Sequence, residues 1–330
     1  MRQILNIYLS VLLACLFSSC LPNKTDQNRN TITVVTLRGP SAMSIINLLD
    51  NPDIDEEIFF DIILLDEPSQ AKPYLFKKKA DLAFLPGTMS VLLYNREVPY
   101  KLAGVPVWGT LYLYADSTIQ SWEDLQNQEI YSMGRGITPD IVLRYLLDAH
   151  NLEPGKNVTL NYSFPTHEAL ANASAAGKAP IAVLSEPLGT FASNKNKTLK
   201  SVFNLSAEWR KIHQDTAVLF QTALVINTLF AEENPVLAKK VLDHIEAQVN
   251  SVNQNIGKAA KLATIYDLLP DSAMAVEAYH RSEIHYVKAF EIKDQLLSFL
   301  TVFHTFNPDI IGGQLPDDDF FYSYAESDTL

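Results

Sequence analysis

The stretch KLAGVPVWGTLYLY, residues 101–114, decides the fold of this chain. It is almost wholly apolar or aromatic, which predicts a buried β-strand, and Pro106 and Gly109 interrupt it. A strand of this length can leave one β-sheet and enter another. We therefore predict two sheets, with this segment crossing from the first to the second.

Strands alternate with turns and helices on both sides of the crossing segment. The predicted strands cover residues 31–36, 59–65, 80–85, 129–133, 158–162 and 179–184. A further apolar run at 217–226 returns the chain to the first sheet, and only helices are predicted beyond Glu232. Such alternation predicts an α/β fold of two doubly wound lobes, with sheets covered on both faces.

The N-terminus has the features of a targeting segment. Arg2 is followed by an apolar run too short to span a bilayer, which ends at Phe17 and leads into Ser18, Ser19 and Cys20. With a cysteine at the expected cut, the segment resembles a bacterial lipoprotein signal. That resemblance implies that Cys20 receives a diacylglyceryl group, that cleavage occurs just before it, and that the acylated chain is anchored to the cell membrane. Phe17 and Ser19 depart from the usual Leu and Gly or Ala, so an ordinary cleaved signal and an uncleaved anchor remain alternatives.

The predicted organisation has four parts. Residues 1–19 are the signal peptide and residues 20–30 are a flexible linker. Residues 31–110 together with 217–330 form lobe I, and residues 111–216 form lobe II. About 300 residues remain after removal of the signal, which is enough for two domains.

Composition excludes several classes of function. The chain has 26 Lys and Arg against 38 Asp and Glu and no basic block, so nucleic acid is not an expected partner. Both cysteines, Cys15 and Cys20, belong to the targeting segment, which leaves the exported part without a disulfide or a thiol nucleophile. The seven histidines are scattered, so no metal site is predicted, and no cofactor or catalytic residue is expected.

The predicted ligand site lies at turns that follow strands. In an open α/β sheet, ligands bind outside the carboxyl ends of the strands, where loops and helix N-termini meet. The turns in such places cover residues 37–42, 85–88, 134–138 and 185–187. Backbone N–H groups at helix starts, with the hydroxyls of Ser41, Thr88 and Thr138, predict a polar site that tolerates an anion.

Several motifs, taken in order, resemble those of one known family. They are TLRGPSAM at 36–43, ADLA at 80–83 before Pro86, WGTLY at 108–112, SWEDL at 121–125, MGRGITP at 133–139, SEP at 185–187 and GGQLPDDDF at 312–320. Together they resemble the substrate-binding lipoproteins of ABC importers, in the branch that takes nitrate, sulfonate, taurine, bicarbonate or thiamine precursors. The resemblance extends over about residues 31–322. It implies the type II periplasmic-binding-protein fold, with two α/β lobes joined by two crossing strands and a helical C-terminal part, and a role without catalysis.

The resemblance also implies which residues contact a ligand when the lobes hinge together. They are Gly39, Pro40, Ser41 and Thr88 of lobe I, and Gly134, Arg135, Thr138 and Glu186 of lobe II. Trp108 and Tyr112 on the crossing strand either stack on a planar ligand or pack under the hinge. Arg135 either pairs with an anion or is exposed, and Glu186 either accepts hydrogen bonds from an NH-bearing ligand or caps a turn. No second Arg or Lys accompanies Arg135, so a small anion and a neutral or heteroaromatic nutrient both stay open.

The partners implied by the resemblance are a membrane permease and its ATPase. A monomeric protein at the periplasmic or extracellular face would deliver its small-molecule ligand to them. The charged runs at 77–79 and 317–319 are interpreted as solvated faces, the second alternatively as a contact with the permease. The competing hypotheses are an enzyme on the same fold, similar to thiamine-pyrimidine synthases or menaquinone-pathway dehydratases, and a surface adhesion lipoprotein. The export signal and the lack of thiols disfavour the enzyme, and the lack of repeats or long insertions disfavours the adhesin.

Overall fold

The computed structural model describes residues 29–53, 55–213 and 218–323. Its strands are β1 Asn30–Leu37, β2 Ile58–Leu65, β3 Leu82–Pro86, β4 Tyr100–Val107, β5 Leu111–Ala115, β6 Glu129–Tyr131, β7 Thr159–Asn161, β8 Ala182–Ser185, β9 Lys200–Asn204, β10 Thr222–Asn227 and β11 Ile284–Lys288. Its helices are α1 Pro40–Ser44, α2 Ile46–Asp50, α3 Pro68–Phe76, α4 Gly87–Asn95, α5 Thr138–Ala149, α6 His167–Ala175, α7 Leu188–Lys195, α8 Leu205–Ile212, α9 Thr228–Glu233, α10 Pro235–Val252, α11 Ile256–Ile265, α12 Ser272–His280 and α13 Lys293–Phe306. Short 3-10 helices cover Trp122–Leu125, Asn253–Asn255, Ala289–Ile292, Pro308–Ile311 and Asp318–Phe320. None of the helices within these ranges is long and apolar enough to cross a membrane.

The strands form two separate sheets, and each sheet is the centre of one lobe. The first lobe contains a six-stranded sheet in the order β11-β4-β10-β3-β1-β2, and the second contains a five-stranded sheet in the order β7-β6-β8-β5-β9. β1 pairs in parallel with β2 and β3, whereas β10 runs antiparallel to β3 and β4. Helices connect most of the strands, so the predicted two-lobed α/β fold class is confirmed.

The crossing segment passes from the first sheet to the second, as predicted. β4 ends at Val107 and β5 begins at Leu111 in the other sheet. Pro106 has no N–H group for a ladder hydrogen bond, and it lies at a register shift. There, Thr222 pairs with Val107 but Leu224 pairs with Gly104, so β4 has one extra residue and bulges. The bulge lets proline remain within β4, between two neighbouring strands.

The return from the second sheet to the first contains a helix. β9 leads into α8, and the chain then enters β10 of the first sheet. This helix lies close to the first crossing, because a Cβ atom at Gly109 would be only 2.6 Å from Cβ of Ser206 on α8. Glycine at this point therefore lets the two connections between the lobes pass close together.

Helix α13 contributes aromatic packing that reaches the second connection. The buried ring of Phe299 has its centroid 5.4 Å from that of Trp209 on α8 and 6.2 Å from that of Phe220, just before β10. Burial of one such side chain is worth about 1.5–3 kcal/mol. The C-terminal part of the chain thus stabilises the region where the lobes join.

The C-terminal segment is bound to β4 of the first lobe by a hydrogen bond and an ion pair. Backbone N–H of Tyr322 donates to the carbonyl of Leu102 at 2.8 Å. Nζ of Lys101 lies 2.5 Å from the carboxylate of Asp319, whose side chain is 70% exposed. The acidic run at 317–319 is therefore both solvated and paired, while the lysines at 77–79 are exposed.

One segment beyond Glu232 is a strand, so the prediction of helices alone is wrong there. β11 pairs antiparallel with β4 at the edge of the first sheet. Ile284 and Tyr286 are buried and His285 between them is exposed, which is the period-two pattern of an edge strand. Five residues between long helices are too few for that pattern to stand out from a helical one.

Candidate functional site

A cavity of about 350 Å³ lies between the two lobes, and we call it the cleft. The first lobe lines it with residues 37–41, 66–68, Pro86, Gln221, Thr222, Asp267 and Leu268. The second lobe lines it with residues 167–168 and 185–188. The carboxyl ends of β1, β2, β3 and β8 meet here, together with the start of the antiparallel strand β10. The volume is in the range of small-molecule sites.

Gly39 brings the first lobe against the second at the cleft. It is the N-cap of α1 with φ of 95°, a conformation that glycine adopts far more readily than other residues. Pro40 follows at the first helical position, where a missing N–H group costs nothing. A Cβ atom at Gly39 would be 3.9 Å from Cδ of Pro187 in the second lobe. The turn after β1 therefore forms one edge of the contact between the lobes.

Ser41 lies in the cleft wall as the second residue of α1, which begins at Pro40 with Gly39 as its cap. Oγ of Ser41 lies 3.3 Å from Oγ1 of Thr222, and both residues are buried. These two hydroxyls join α1 to the start of β10 at the base of the cleft.

Glu186 is buried at the cleft wall, where groups of the second lobe hold its carboxylate. The hydroxyl of Tyr114 donates to Oε1 at 2.6 Å, and backbone N–H of Thr190 in α7 donates to Oε2 at 3.1 Å. Burial raises the pKa of Glu186, while these donors and the charge of Arg281 oppose that rise. The contacts are those of a helix cap, which is one of the two roles that the sequence left open.

Arg281 connects the first lobe to this buried carboxylate. Its Nη1 donates to the hydroxyl of Tyr114 at 2.8 Å and lies 3.7 Å from Oε1 of Glu186. Its Nη2 lies 2.9 Å from the carboxylate of Glu277. A network of charges and hydrogen bonds thus joins the two lobes, and Glu186 is the one member of it that lines the cleft.

Acidic side chains dominate the open part of the cleft. Asp66, Glu67 and Asp267 come from the first lobe and Glu168 comes from the second. Burial raises the pKa of Glu67, and the negative charges of Glu168 and Asp66 raise it further. Burial lowers the pKa of His167 in the same lining, so this imidazole is neutral near pH 7.

Arg38 is the one Lys or Arg side chain in the described cleft lining. Its Nε donates to the carboxylate of Asp66 at 2.9 Å, and its Nη1 donates to the carbonyl of Tyr266 at 3.1 Å. The guanidinium is therefore already bound to two acceptors of its own lobe. The cleft lining keeps a negative balance.

The structure brings some of the predicted contact residues together and leaves others apart. Gly39, Pro40, Ser41 and Glu186 line the cleft. The predicted residues outside its lining are Thr88, Trp108, Tyr112, Gly134, Arg135 and Thr138. Ligand contacts of all ten remain predictions.

Trp108 and Tyr112 are packed at the first connection between the lobes. Nε1 of Trp108 donates to the carbonyl of His285 at 3.0 Å, and the two rings are stacked with centroids 5.4 Å apart. The hydroxyl of Tyr112 donates to the carbonyl of Arg281 at 2.8 Å. Both rings thus make the contacts expected from residues that pack under the hinge.

The loop at 134–138 is held by a carboxylate from the helix that follows it. Asp140 is buried, and its Oδ2 accepts backbone N–H of Gly136 at 2.7 Å. Its Oδ1 accepts Nε of Arg144 at 2.8 Å and the hydroxyl of Tyr162 at 2.5 Å. The guanidinium carbon of Arg135 lies 5.2 Å from the ring centroid of Tyr162, a cation–π contact.

This loop also touches the first lobe. Nδ2 of Asn307, just after α13, donates to the carbonyl of Gly136 at 2.8 Å. Thr138 is the first residue of α5, with Ile137 as its N-cap. The loop therefore contributes a further point of contact between the lobes, away from the cleft.

Thr88 does not line the cleft, and its neighbour Gly87 is closely packed. Thr88 is the second residue of α4 and is buried. A Cβ atom at Gly87 would be 2.7 Å from the ring of Phe220, so only glycine fits under this ring. The aromatic ring covers the turn after β3, and only Pro86 of that turn lines the cleft.

Several cleft residues were missed from the sequence. Residues 66–68 follow β2 in the same way as the predicted turns follow their strands. The rule that ligands bind at the carboxyl ends of strands, which we call the strand-end rule, could therefore have found them. Gln221 precedes the antiparallel strand β10 and Thr222 begins it, and a rule about the carboxyl ends of strands does not apply there. Asp267 follows α11, and no local pattern places it at the cleft. No group of three or more His, Cys, Asp or Glu side chains in the described ranges is arranged to hold a metal ion.

No protein-family model and no curated protein matches the chain. Solved structures do match it. An ABC transporter protein from Parabacteroides distasonis is 30% identical, with a TM-score of 0.79, and the alignment covers 89% of this chain and 99% of that chain. The periplasmic aliphatic sulphonate binding protein SsuA from Escherichia coli is 12% identical, with a TM-score of 0.69 and coverage of 87% and 96%. The periplasmic nitrate-binding protein NrtA from Synechocystis is 12% identical, with a TM-score of 0.59 and coverage of 88% and 84%.

Two α/β lobes with a ligand-sized cleft between them are the architecture of type II periplasmic binding proteins, and the sulphonate- and nitrate-binding structures share it. At 30% identity over nearly its whole described length, the chain belongs to the family of the ABC transporter protein from Parabacteroides distasonis.

Proposed function

We propose that the protein is the solute-binding component of an ABC importer, which captures one small nutrient in the cleft and delivers it to a membrane permease and its ATPase. The observation that supports this proposal is the cleft itself, because turns from both lobes line it. A binding protein closes on its solute only if the closed form makes contacts that the open form lacks. A solute that touches both Gly39 and Pro187 supplies that difference.

The proposed solute contacts are those predicted residues that line the cleft. Gly39, Pro40 and Ser41 present the turn of the first lobe, and Glu186 shapes the opposing wall. Lobe I comprises 31–110 and 217–330 and lobe II comprises 111–216 in this proposal. The six predicted contacts outside the lining would act only if the lobes rearranged around the solute.

The proposed location is the outer face of the bacterial cell membrane, in the periplasm or outside the cell. Cys20 lies outside the described residues, and its acylation is part of the proposal. Arg29, the first described residue, donates to the carboxylate of Asp53 at 2.7 Å, so the folded part begins beside it. The linker at 20–30 reaches at most about 35 Å when fully extended, which would keep the lobes close to the membrane.

The direct test is recovery and rebinding of a solute. The full-length protein is purified without denaturation, its bound small molecules are released and identified by mass spectrometry, and rebinding is measured by calorimetry. We expect one solute per chain.

A bulky side chain in the cleft should block that binding. Leu188→Trp adds volume to the lining, whereas Leu229→Trp places the same change on α9, where Leu229 is exposed. We expect the first variant to lose binding and the second to keep it. A protein that binds no solute, or that binds equally well with Leu188→Trp, would refute the proposed function.

A further inference from the structure

The cleft lining is negatively charged, whereas an anion would be bound best by a positively charged lining. Glu67 and Asp267 from the first lobe and Glu168 from the second line it, and none of them forms an ion pair with a residue of the described ranges. Arg38 is bound to Asp66 and to a backbone carbonyl. A sulphonate or nitrate ion would meet three uncompensated negative charges at this lining.

Some backbone N–H groups at the helix starts beside the cleft are engaged by the protein itself or are absent. Helix N-termini bind anions through free backbone N–H groups. At α7, N–H of Thr190 donates to the carboxylate of Glu186, and at α6, N–H of Ala169 donates to Oγ1 of Thr166 at 3.1 Å. At α3, the first position is Pro68, which has no N–H group. These three helix starts therefore offer an anion fewer N–H groups than uncapped helices would.

Glu67 and Glu168 oppose each other across the cleft. Glu67 precedes α3 in the first lobe and Glu168 lies in the first turn of α6 in the second, and both line the same cavity. The negative charge of Glu168 contributes to the raised pKa of Glu67, so the two carboxylates are close enough to interact. Closing the lobes would bring these two negative charges closer together and increase their repulsion. A positive charge between them would offset that repulsion.

Gln221 adds an acceptor to the wall. Its side-chain oxygen is buried and has no hydrogen-bond partner among the described residues, and the residue lines the cleft. A buried acceptor without a partner is costly, and a donor group of a bound solute would satisfy it if the amide turned toward the cleft. Nitrate and sulphonate groups carry no such donor, whereas an ammonium or amidinium group does.

We infer that the cleft takes a small organic cation, whose ammonium or amidinium group lies between Glu67 and Glu168 while an N–H or O–H donor reaches Gln221. This inference rests on the proposed function and names its class of solute. The cation would neutralise the repulsion between the lobes, so its charge would itself favour closure.

The test uses the full-length protein and asks whether removing a negative charge from the cleft weakens or strengthens solute binding. Calorimetric dissociation constants are determined for choline and putrescine as cations and for ethanesulfonate and nitrate as anions. We expect a cation to bind, Glu67→Gln and Glu168→Gln each to weaken it about threefold, and the double variant to weaken it about tenfold. Glu233→Gln changes the net charge equally at an exposed site on α9 and should leave binding unchanged.

The opposite sign overturns the inference. If ethanesulfonate or nitrate binds and the glutamine variants strengthen that binding, the cleft takes anions, and the proposed function stands while the inference fails. If neither choline nor putrescine binds, the inference also fails. The proposed function fails separately, when purified protein carries and rebinds no solute of any charge.

Discussion

Tyr114→Phe should destabilise the protein through the buried carboxylate of Glu186. The hydroxyl of Tyr114 donates to Glu186 at 2.6 Å and accepts from Arg281 at 2.8 Å, and Tyr114 and Glu186 are both almost completely buried. Its removal takes one donor from the carboxylate and one acceptor from the guanidinium. A buried hydrogen bond to a charged group is worth about 1.5–3 kcal/mol, so we expect a loss of about 2 kcal/mol in the free energy of unfolding.

The loss should depend on pH, with a sign that follows from the pKa of Glu186. Burial raises this pKa in the folded protein, so folding favours the protonated carboxyl. The stability due to this group is present at low pH and falls as pH rises through the folded pKa. Loss of the Tyr114 donor raises the folded pKa further, so Tyr114→Phe should cost more above that pKa than below it.

Urea unfolding followed by circular dichroism measures this effect at about pH 5 and at about pH 8, because the loss should grow as pH rises. Tyr131→Phe is the matched control, because the hydroxyl of Tyr131 donates to the exposed Glu129 at 2.7 Å. We expect the control to cost less than about 0.5 kcal/mol at both pH values. A Tyr114→Phe loss no larger than that of the control, or larger at the lower pH, would show that the buried network does not act in this way.

Three further substitutions test the turn, the loop and the anchor. Gly39→Ala forces a positive φ angle on alanine, so we expect about 1–3 kcal/mol of destabilisation in urea and weaker solute binding. The control is Gly155→Ala, because Gly155 has φ of 87° and open space around it; this variant should be destabilised without a change in binding. Asp140→Asn removes the charge of the buried partner of Arg144, so it should lower the free energy of unfolding by about 2 kcal/mol while solute affinity changes little. An unchanged melting temperature would contradict the role of this carboxylate. Cys20→Ala should move the protein from the membrane fraction to the soluble fraction with unchanged solute affinity, and membrane retention after confirmed cleavage of the signal would disprove the lipid anchor.

The fold was predictable where the signal is local. The apolar stretch at 101–114, broken by Pro106 and Gly109, indicated a crossing between two sheets, and the structure has β4 and β5 in different sheets. Ser121 and Asp124 have the spacing that is typical of a capping box, and the structure contains one there. By contrast, β11 forms because β4 offers it an edge, and that edge depends on long-range pairing rather than on the five residues themselves.

The candidate site was predictable only in part, for the same physical reason. The turn at Gly39 and the turn at Glu186 follow strands, and the strand-end rule places both at the cleft. Whether a turn opens into the cleft or is covered depends on its neighbours in space. Phe220 covers the turn beside Thr88, and Asn307 is bound to the loop containing Gly136, and both residues are distant in sequence from the groups they contact.

The strand order of the first sheet determines the order in which the two lobes can fold. The second sheet uses β5 to β9, which are consecutive along the chain, so its pairing needs no later segment. In the first sheet β4 lies between β10 and β11, which come from the last third of the sequence. Their pairing must wait for the closure of a long loop, and until then β4 exposes unpaired edges. A chain that crosses a membrane from its N-terminus would therefore complete its second lobe first, and a chain stopped before β10 would leave the first lobe's sheet unfinished.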